Sequence, residues 1–172
     1  ELPEQVIADE NVNTIVIATR HDTHASLASS ALNAGKHVFV EKPLAMSDEE
    51  LDEVIAAAQN SSASLTVGFN RRFSPAAKLV KQHFSDLKAP LSIVYRVNAG
   101  RIPKEHWIHD PVQGGGRIIG EVCHFIDLMH FLTGALTERV QAESLRSQNA
   151  SVTNDDSVMI TLRDRKSTRL NS

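Results

Sequence analysis

Between Asn13 and Phe69 short apolar runs alternate with helical stretches, and this succession constrains the fold more than any other feature of the chain. NTIVIAT (13–19), HVFV (37–40) and SLTVGF (64–69) are rich in β-branched residues and apolar on both faces, as parallel strands covered on both sides would be. HDTHASLASSALNAG (21–35) repeats Ala25, Ala28, Ala31 and Leu32 at helical spacing, with Asp22 as a candidate N-cap and Gly35 as C-cap. SDEELDEVIAAAQN (47–60) opens on a capping box, Ser47 followed three residues later by Glu50. Strand–helix–strand–helix–strand with helices of this length predicts right-handed βαβ units and a parallel sheet.

After Phe69 the rhythm changes. NRRFSPAAKLVKQHFSD (70–86) predicts a helix after its first turn, and PLSIVYRVNAG (90–100) alternates like a half-covered, antiparallel strand. Arg101 to Gln113 is too long for a simple connector. GGGRIIGEVCHFIDLMHFLTG (114–134) predicts a glycine turn feeding a helix that stops at Thr133–Gly134, and two more strands are expected over about 138–147 and 157–163. The predicted division is residues 1–68, then 69–165, with the boundary near Gly68–Asn70.

Composition narrows the function classes. With 41% hydrophobic and 23% charged residues in 172, the chain is globular, and a net charge of −3 gives no reason to expect nucleic acid or an anionic membrane as partner. Cys123 is the single cysteine, so an intrachain disulfide is impossible and a reducing, cytoplasmic setting fits. No apolar run approaches the roughly 18 residues of a spanning helix, and no signal peptide is visible. The chain opens at Glu1 inside a helical pattern and closes on the polar, basic string DRKSTRLNS. Residues 166–172 therefore read as a non-native tail, and the whole as an internal piece of a longer protein.

Ligands of open parallel sheets sit beyond the carboxyl ends of the strands. Thr19, Glu41–Lys42 and Phe69–Asn70 stand at three such ends, which makes EKP (41–43) more than a solvated strand end with a turn proline.

The residues resemble a known family. The block IVIAT…HASLASSALNAGKHVFVEKPLA, then GFNRRFSP, then GGGRIIGEVCHFID is similar to the Gfo/Idh/MocA oxidoreductases, which include inositol 2-dehydrogenase and glucose–fructose oxidoreductase. The resemblance runs from about residue 11 to 163. WIHDPVQGGGRIIGEVCHFID looks closest to a branch in bacterial polysaccharide biosynthesis, sometimes fused behind a zinc-type alcohol dehydrogenase domain. The implied architecture is α/β: the C-terminal half of a parallel, doubly wound Rossmann domain, then a truncated α+β domain with an open, mainly antiparallel sheet. The family's GxGxxG and the acidic residue that grips the adenine ribose are not in this sequence, so this chain is expected to bind NAD or NADP weakly or not at all. The implied activity of the full-length parent is hydride transfer between nicotinamide and a sugar, sugar-nucleotide or cyclitol carbon. A homo-oligomer is implied for that parent. The competing reading is a non-catalytic cofactor or sugar sensor of the same fold; a carbohydrate-binding module is a weaker third.

The resemblance implies roles for particular residues. Lys42 would hydrogen-bond the substrate oxygen as the hydride leaves, stabilising alkoxide charge. Glu41 would orient Lys42, cap the nearby chain or contact the cofactor. Pro43 is expected to follow a cis bond. His124 would take the hydroxyl proton as a neutral imidazole, against the plainer alternative of a hydrogen bond within the protein. At 100° per residue Glu121, His124, Leu128 and Phe131 share one helical stripe, with Asp127 beside it. Many family members carry aspartate four residues before the histidine; this chain has Gly120 there and Glu121 next, so Glu121 either takes that role with a longer arm or binds a substrate hydroxyl. Asp127 either orients His124 or makes an ordinary hydrogen bond.

Thr19, His24, Glu41, Lys42 and Asn70 are the candidate cofactor contacts, with His24 equally readable as a surface histidine. Lys42, Arg71, Trp107, Gly115, Glu121, His124 and Asp127 are the candidate substrate contacts. Gly114–Gly116 either presents amide groups to a substrate oxygen or simply turns tightly into the helix. The loop with HWIHD (106–110) suits a carbohydrate-facing lid better than a metal site, since neither CxxC nor HExxH accompanies it.

Overall fold

The computed structural model describes residues 2–86, 89–144 and 157–164. They fall into two compact units: one within Glu1–Phe69 and Trp107–Glu121, the other within Asn70–His106 and Val122–Ser172.

In the first unit a short helix α1 (Pro3–Ala8) precedes β1 (Thr14–Ile17), α2 (His24–Asn33), β2 (His37–Val40), α3 (Asp48–Asn60) and β3 (Leu65–Val67). The strands pair in the order β1–β2–β3, all parallel, with Ile17 opposite Val40 and Val40 opposite Val67. Ile17, Val38 and Val40 point to one face, where Ala28, Ala31 and Leu32 of α2 and Val54 and Ala57 of α3 bury them. That small alanine surface is what lets α2 lie close to the sheet.

The expectation of strands covered on both sides is corrected here. Val16, Phe39 and Thr66 are in register on the opposite face, and Val16 is 69% and Phe39 37% exposed. Among the described residues the helices cover one face only, so half the β-branched character of these runs has no packing partner.

Two capping expectations also change. Asp22 lies inside a short 3₁₀ turn (His21–Thr23), and Thr23 is the N-cap of α2, without a side-chain cap. Ser47 does cap α3, its Oγ accepting from the Glu50 amide at 3.2 Å, but Glu50 Oε2 accepts from the Met46 amide at 2.8 Å, one residue earlier than a reciprocal box requires. Gly35 follows α2 at φ 73°, the left-handed conformation that closes a helix.

Segment 107–121 packs within this unit. Trp107–His109 forms one 3₁₀ turn. The Asp110 carbonyl accepts from the Gly114 amide at 2.9 Å and the Gly115 amide at 3.0 Å, while its carboxylate accepts from Val112 and Gln113. Those two amides hold the Asp110 carboxyl below its usual range.

In the second unit, a 3₁₀ turn (Asn70–Phe73) leads into α4 (Pro75–His83), capped by Ser74. Helix α5 (Cys123–Thr133) packs on α4 and ends at Gly134, φ 63°. Strands β4 (Thr137–Ser144) and β5 (Val158–Asp164) pair antiparallel. The part of the predicted strand at 145–147, and the tail at 166–172, lie outside the described residues.

The strand predicted over 90–100 is not formed: no strand is assigned there, and among the described residues β4 and β5 pair only with each other. Its alternation survives in exposure: Ile93, Tyr95 and Val97 are 38–44% exposed and Val94 is 93%.

The single helical stripe through Glu121 and His124 is likewise corrected. Ile118–Val122 is π-helical, and only from Cys123 does α geometry begin. A π turn takes more residues than 3.6, so the 100° phase does not carry from Glu121 to His124. Within α5 the buried residues are His124, Asp127 and Leu128.

Candidate active site

Parallel strands place their carboxyl ends on one edge, and in the first unit that edge carries Thr19, Glu41–Lys42 and Gly68. Glu41 still belongs to the ladder through its backbone, its amide donating to the Ile17 carbonyl at 2.8 Å. Its carboxylate lies over Gly68: a Cβ there would stand 3.1 Å from Glu41 Oε1.

Lys42 Nζ instead donates to the Gly120 carbonyl at 2.8 Å and to Glu121 Oε1 at 2.7 Å. Thus Glu121, 79 residues further along, is the carboxylate beside the lysine. The lysine side chain is 15% exposed and the glutamate 38%, so the pair sits at a rim rather than in a sealed core. The following bond, Lys42–Pro43, is cis, as the sequence led us to expect.

His24 is 1% exposed and serves the backbone of this edge. Its Nδ1 lies 2.8 Å from the Pro43 carbonyl and its Nε2 3.1 Å from the Thr19 carbonyl. Each ring nitrogen faces a backbone carbonyl oxygen, so the ring lies between the end of β1 and the turn after Lys42 and presents no nitrogen outward. Thr19 itself is exposed, its hydroxyl 2.6 Å from that of Thr23.

His21, which sequence reasoning passed over, is buried beside this cluster. Its Nδ1 lies 2.8 Å from the Gly114 carbonyl, and its ring meets Trp107 edge-on at 4.9 Å. Burial is the main cause that pushes its pKa below 6.5. The only sequence signal was its place in HDTH, two residues after Thr19 at the strand end. Arg20 stacks over Trp107 at 5.6 Å and hydrogen-bonds Gln113. Trp107 is therefore packed within the first unit between Arg20 and His21.

The Gly114 and Gly115 amides are engaged by Asp110, which favours the turn over a substrate-amide role; Gly115, at φ 68°, faces the Met46 sulfur. Among the described residues no group of three or more His, Cys, Asp or Glu side chains is placed to hold a metal.

The second unit holds the remaining candidates. His124 is buried in the first turn of α5. Asp127, expected to orient His124 or make an ordinary bond, grips Arg72: Nε donates at 2.9 Å and the second guanidinium nitrogen pairs with the other oxygen. That fork holds the Arg72 pKa above its ordinary value. Arg71 lies over the Phe125 ring at 4.9 Å, and Asn70, exposed, opens the 3₁₀ turn.

A parallel sheet alternating with helices defines a class, the open α/β proteins whose ligands sit beyond the carboxyl ends of the strands. Comparison makes the assignment specific. Residues 1–69 match the family described as "Oxidoreductase family, NAD-binding Rossmann fold", and residues 89–169 match the "GFO/IDH/MocA C-terminal domain". The chain belongs to the GFO/IDH/MocA oxidoreductase family. It is 28% identical over 141 residues to myo-inositol 2-dehydrogenase of Thermotoga maritima, covering 82% of this chain and 42% of that protein. An NAD-binding protein from Listeria innocua superposes with a TM-score of 0.75 at 32% identity, over 96% of this chain and 49% of that one. A levoglucosan dehydrogenase in complex with NADH and levoglucosan superposes at 0.69 with 26% identity, over 93% and 46%. The chain spans about half the length, or less, of the relatives it matches.

The family's cofactor class is NAD or NADP. On the strand-end edge Thr19 is exposed, while Gly68 is buried beneath the Glu41 carboxylate. No GxGxxG is present in this sequence to cradle a pyrophosphate.

Proposed function

We propose that this chain is part of an NAD(P)-dependent dehydrogenase that interconverts a hydroxyl and a ketone on a sugar, sugar nucleotide or cyclitol. The observation that carries the proposal is Lys42, an ammonium group held by Gly120 and Glu121 at the carboxyl end of a parallel strand. The bound nicotinamide supplies a hydride acceptor at C4. Lys42 supplies a cation for the substrate oxygen, whose negative charge grows as the hydride departs. Glu121, hydrogen-bonded to Lys42, fixes the direction of that ammonium and is itself proposed to meet a substrate hydroxyl. His124 is proposed as the group that accepts the hydroxyl proton. Thr19 and Glu41 are proposed cofactor neighbours on the edge; Asn70 is proposed as a further one. His24 lies there between the Thr19 and Pro43 carbonyls. We place the parent in the cytoplasm, consistent with a single cysteine, Cys123, in this sequence, and as a homo-oligomer.

The test is reduced-nicotinamide absorbance with the full-length protein and a panel of polyols and sugar nucleotides. Lys42→Ala is expected to lower turnover by about 10²-fold or more while leaving cofactor binding in place. Unchanged turnover refutes the role of Lys42. The sensor reading draws on Gly120, which stands where many family members carry aspartate; cofactor binding without turnover on any substrate favours it.

A further inference from the structure

We propose that His21 is a positioning residue for Lys42: it pins the segment Gly114–Glu121, whose Gly120 carbonyl and Glu121 carboxylate hold the lysine's ammonium group. The proposal rests on Lys42 being the cation that meets the substrate oxygen.

Two contacts made by one ring carry it. A carbonyl oxygen only accepts, so His21 Nδ1 bears the hydrogen and donates to Gly114 at 2.8 Å. Six residues on, a Cβ at Gly120 would stand 2.9 Å from His21 Cε1, closer than real Cβ contacts come. Only glycine lets the backbone at 120 lie against the imidazole. The ring thus touches the segment at two points, Gly114 before the π-helical turn and Gly120 within it, and Lys42 Nζ bonds the carbonyl of that same Gly120 at 2.8 Å. Trp107, edge-on at 4.9 Å, fixes the ring from another side. With its pKa below 6.5 through burial, His21 is neutral at neutral pH and adds no charge beside the ammonium. Removing the ring frees the Gly120 carbonyl, and with it one of the two holds on Lys42.

The experiment uses the full-length protein with His21→Ala and His21→Asn, the latter because its amide can replace the Nδ1 donor. Reactivity of the Lys42 amine is read by reductive methylation and peptide mass spectrometry, alongside steady-state kinetics. His21→Ala is expected to raise Lys42 labelling several-fold and to lower kcat by about 10- to 100-fold, since displacement of a reacting group by about 1 Å costs on that order. KM should change by less than about twofold. His21→Asn should return both readouts toward wild type. A folded His21→Ala protein with unchanged Lys42 labelling and kcat overturns the proposal. Should that variant not fold, His21→Phe fills the space without a donor; raised labelling supports the proposal and unchanged labelling overturns it. Lys42→Ala is the control. If it retains turnover, the role of Lys42 in the dehydrogenase fails, and labelling alone then decides the role of His21.

Discussion

Gly120→Ala is the sharpest single perturbation the structure offers. Gly120 is buried and lacks a positive φ, so alanine meets no backbone penalty there. Fewer unfolded conformations alone would stabilise the variant by about 0.4–1 kcal/mol. Against this, the new methyl would lie 2.9 Å from His21 Cε1 and 3.2 Å from Ile108 Cδ1. The first contact is roughly 0.6 Å inside the ~3.5 Å at which carbon atoms attract, and the His21 ring is held in place by the Gly114 carbonyl and Trp107, whereas the Ile108 Cδ1 methyl is a side-chain tip that can give way. Overpacking of this kind costs about 1–3 kcal/mol, so the clash exceeds the entropic gain and the net loss is roughly 1–2 kcal/mol. For a chain of this size that lowers Tm by about 2–8 °C. Thermal melts of wild type, Gly120→Ala, His21→Ala and the double variant form the assay. If the clash is with His21, the double variant recovers most of the loss, a coupling of at least about 0.5 kcal/mol. A Gly120→Ala protein as stable as wild type, or strictly additive losses, would refute the packing argument and weaken the link between His21 and Lys42.

Stability should also depend on pH through His21. Its folded pKa lies below 6.5, so the unfolded chain binds the proton more readily; stability is full above pH 6.5 and is lost as pH falls through the window beneath it. His24 and Lys42 press the pKa the same way, while the Gly114 hydrogen bond and Glu121 oppose it. Melts from pH 7.5 to 5 should show Tm falling, with a shallower slope in His21→Asn; an identical slope would exclude His21 as the source. In the second unit, Asp127→Asn should cost about 1.5–3 kcal/mol by breaking the fork on Arg72, measured as a drop in the urea midpoint at unchanged m. Equal stability of that variant would mean that solvent already satisfies the half-exposed guanidinium.

What the sequence alone determined is local. β-branched runs, alanine spacing, a serine cap and EKP at a strand end encode β1–α2–β2–α3–β3, because each signal acts within a few residues. Those signals also put Lys42 at the ligand-binding edge and a proline after it. Local signals misled in two places: residues 90–100 alternate like a strand but are not assigned to a ladder among the described residues, and Val16, apolar like its neighbours, is 69% exposed. Only tertiary structure decided what holds Lys42, why position 120 is glycine, that His24 lies between the end of β1 and the turn after Lys42, and that a π turn breaks the helical phase before His124. The partners of Lys42 and His21 lie 78 to 93 residues away along the chain. Periodicity says which way a side chain faces within its own element, but which distant backbone fills the space opposite depends on shape and packing in three dimensions.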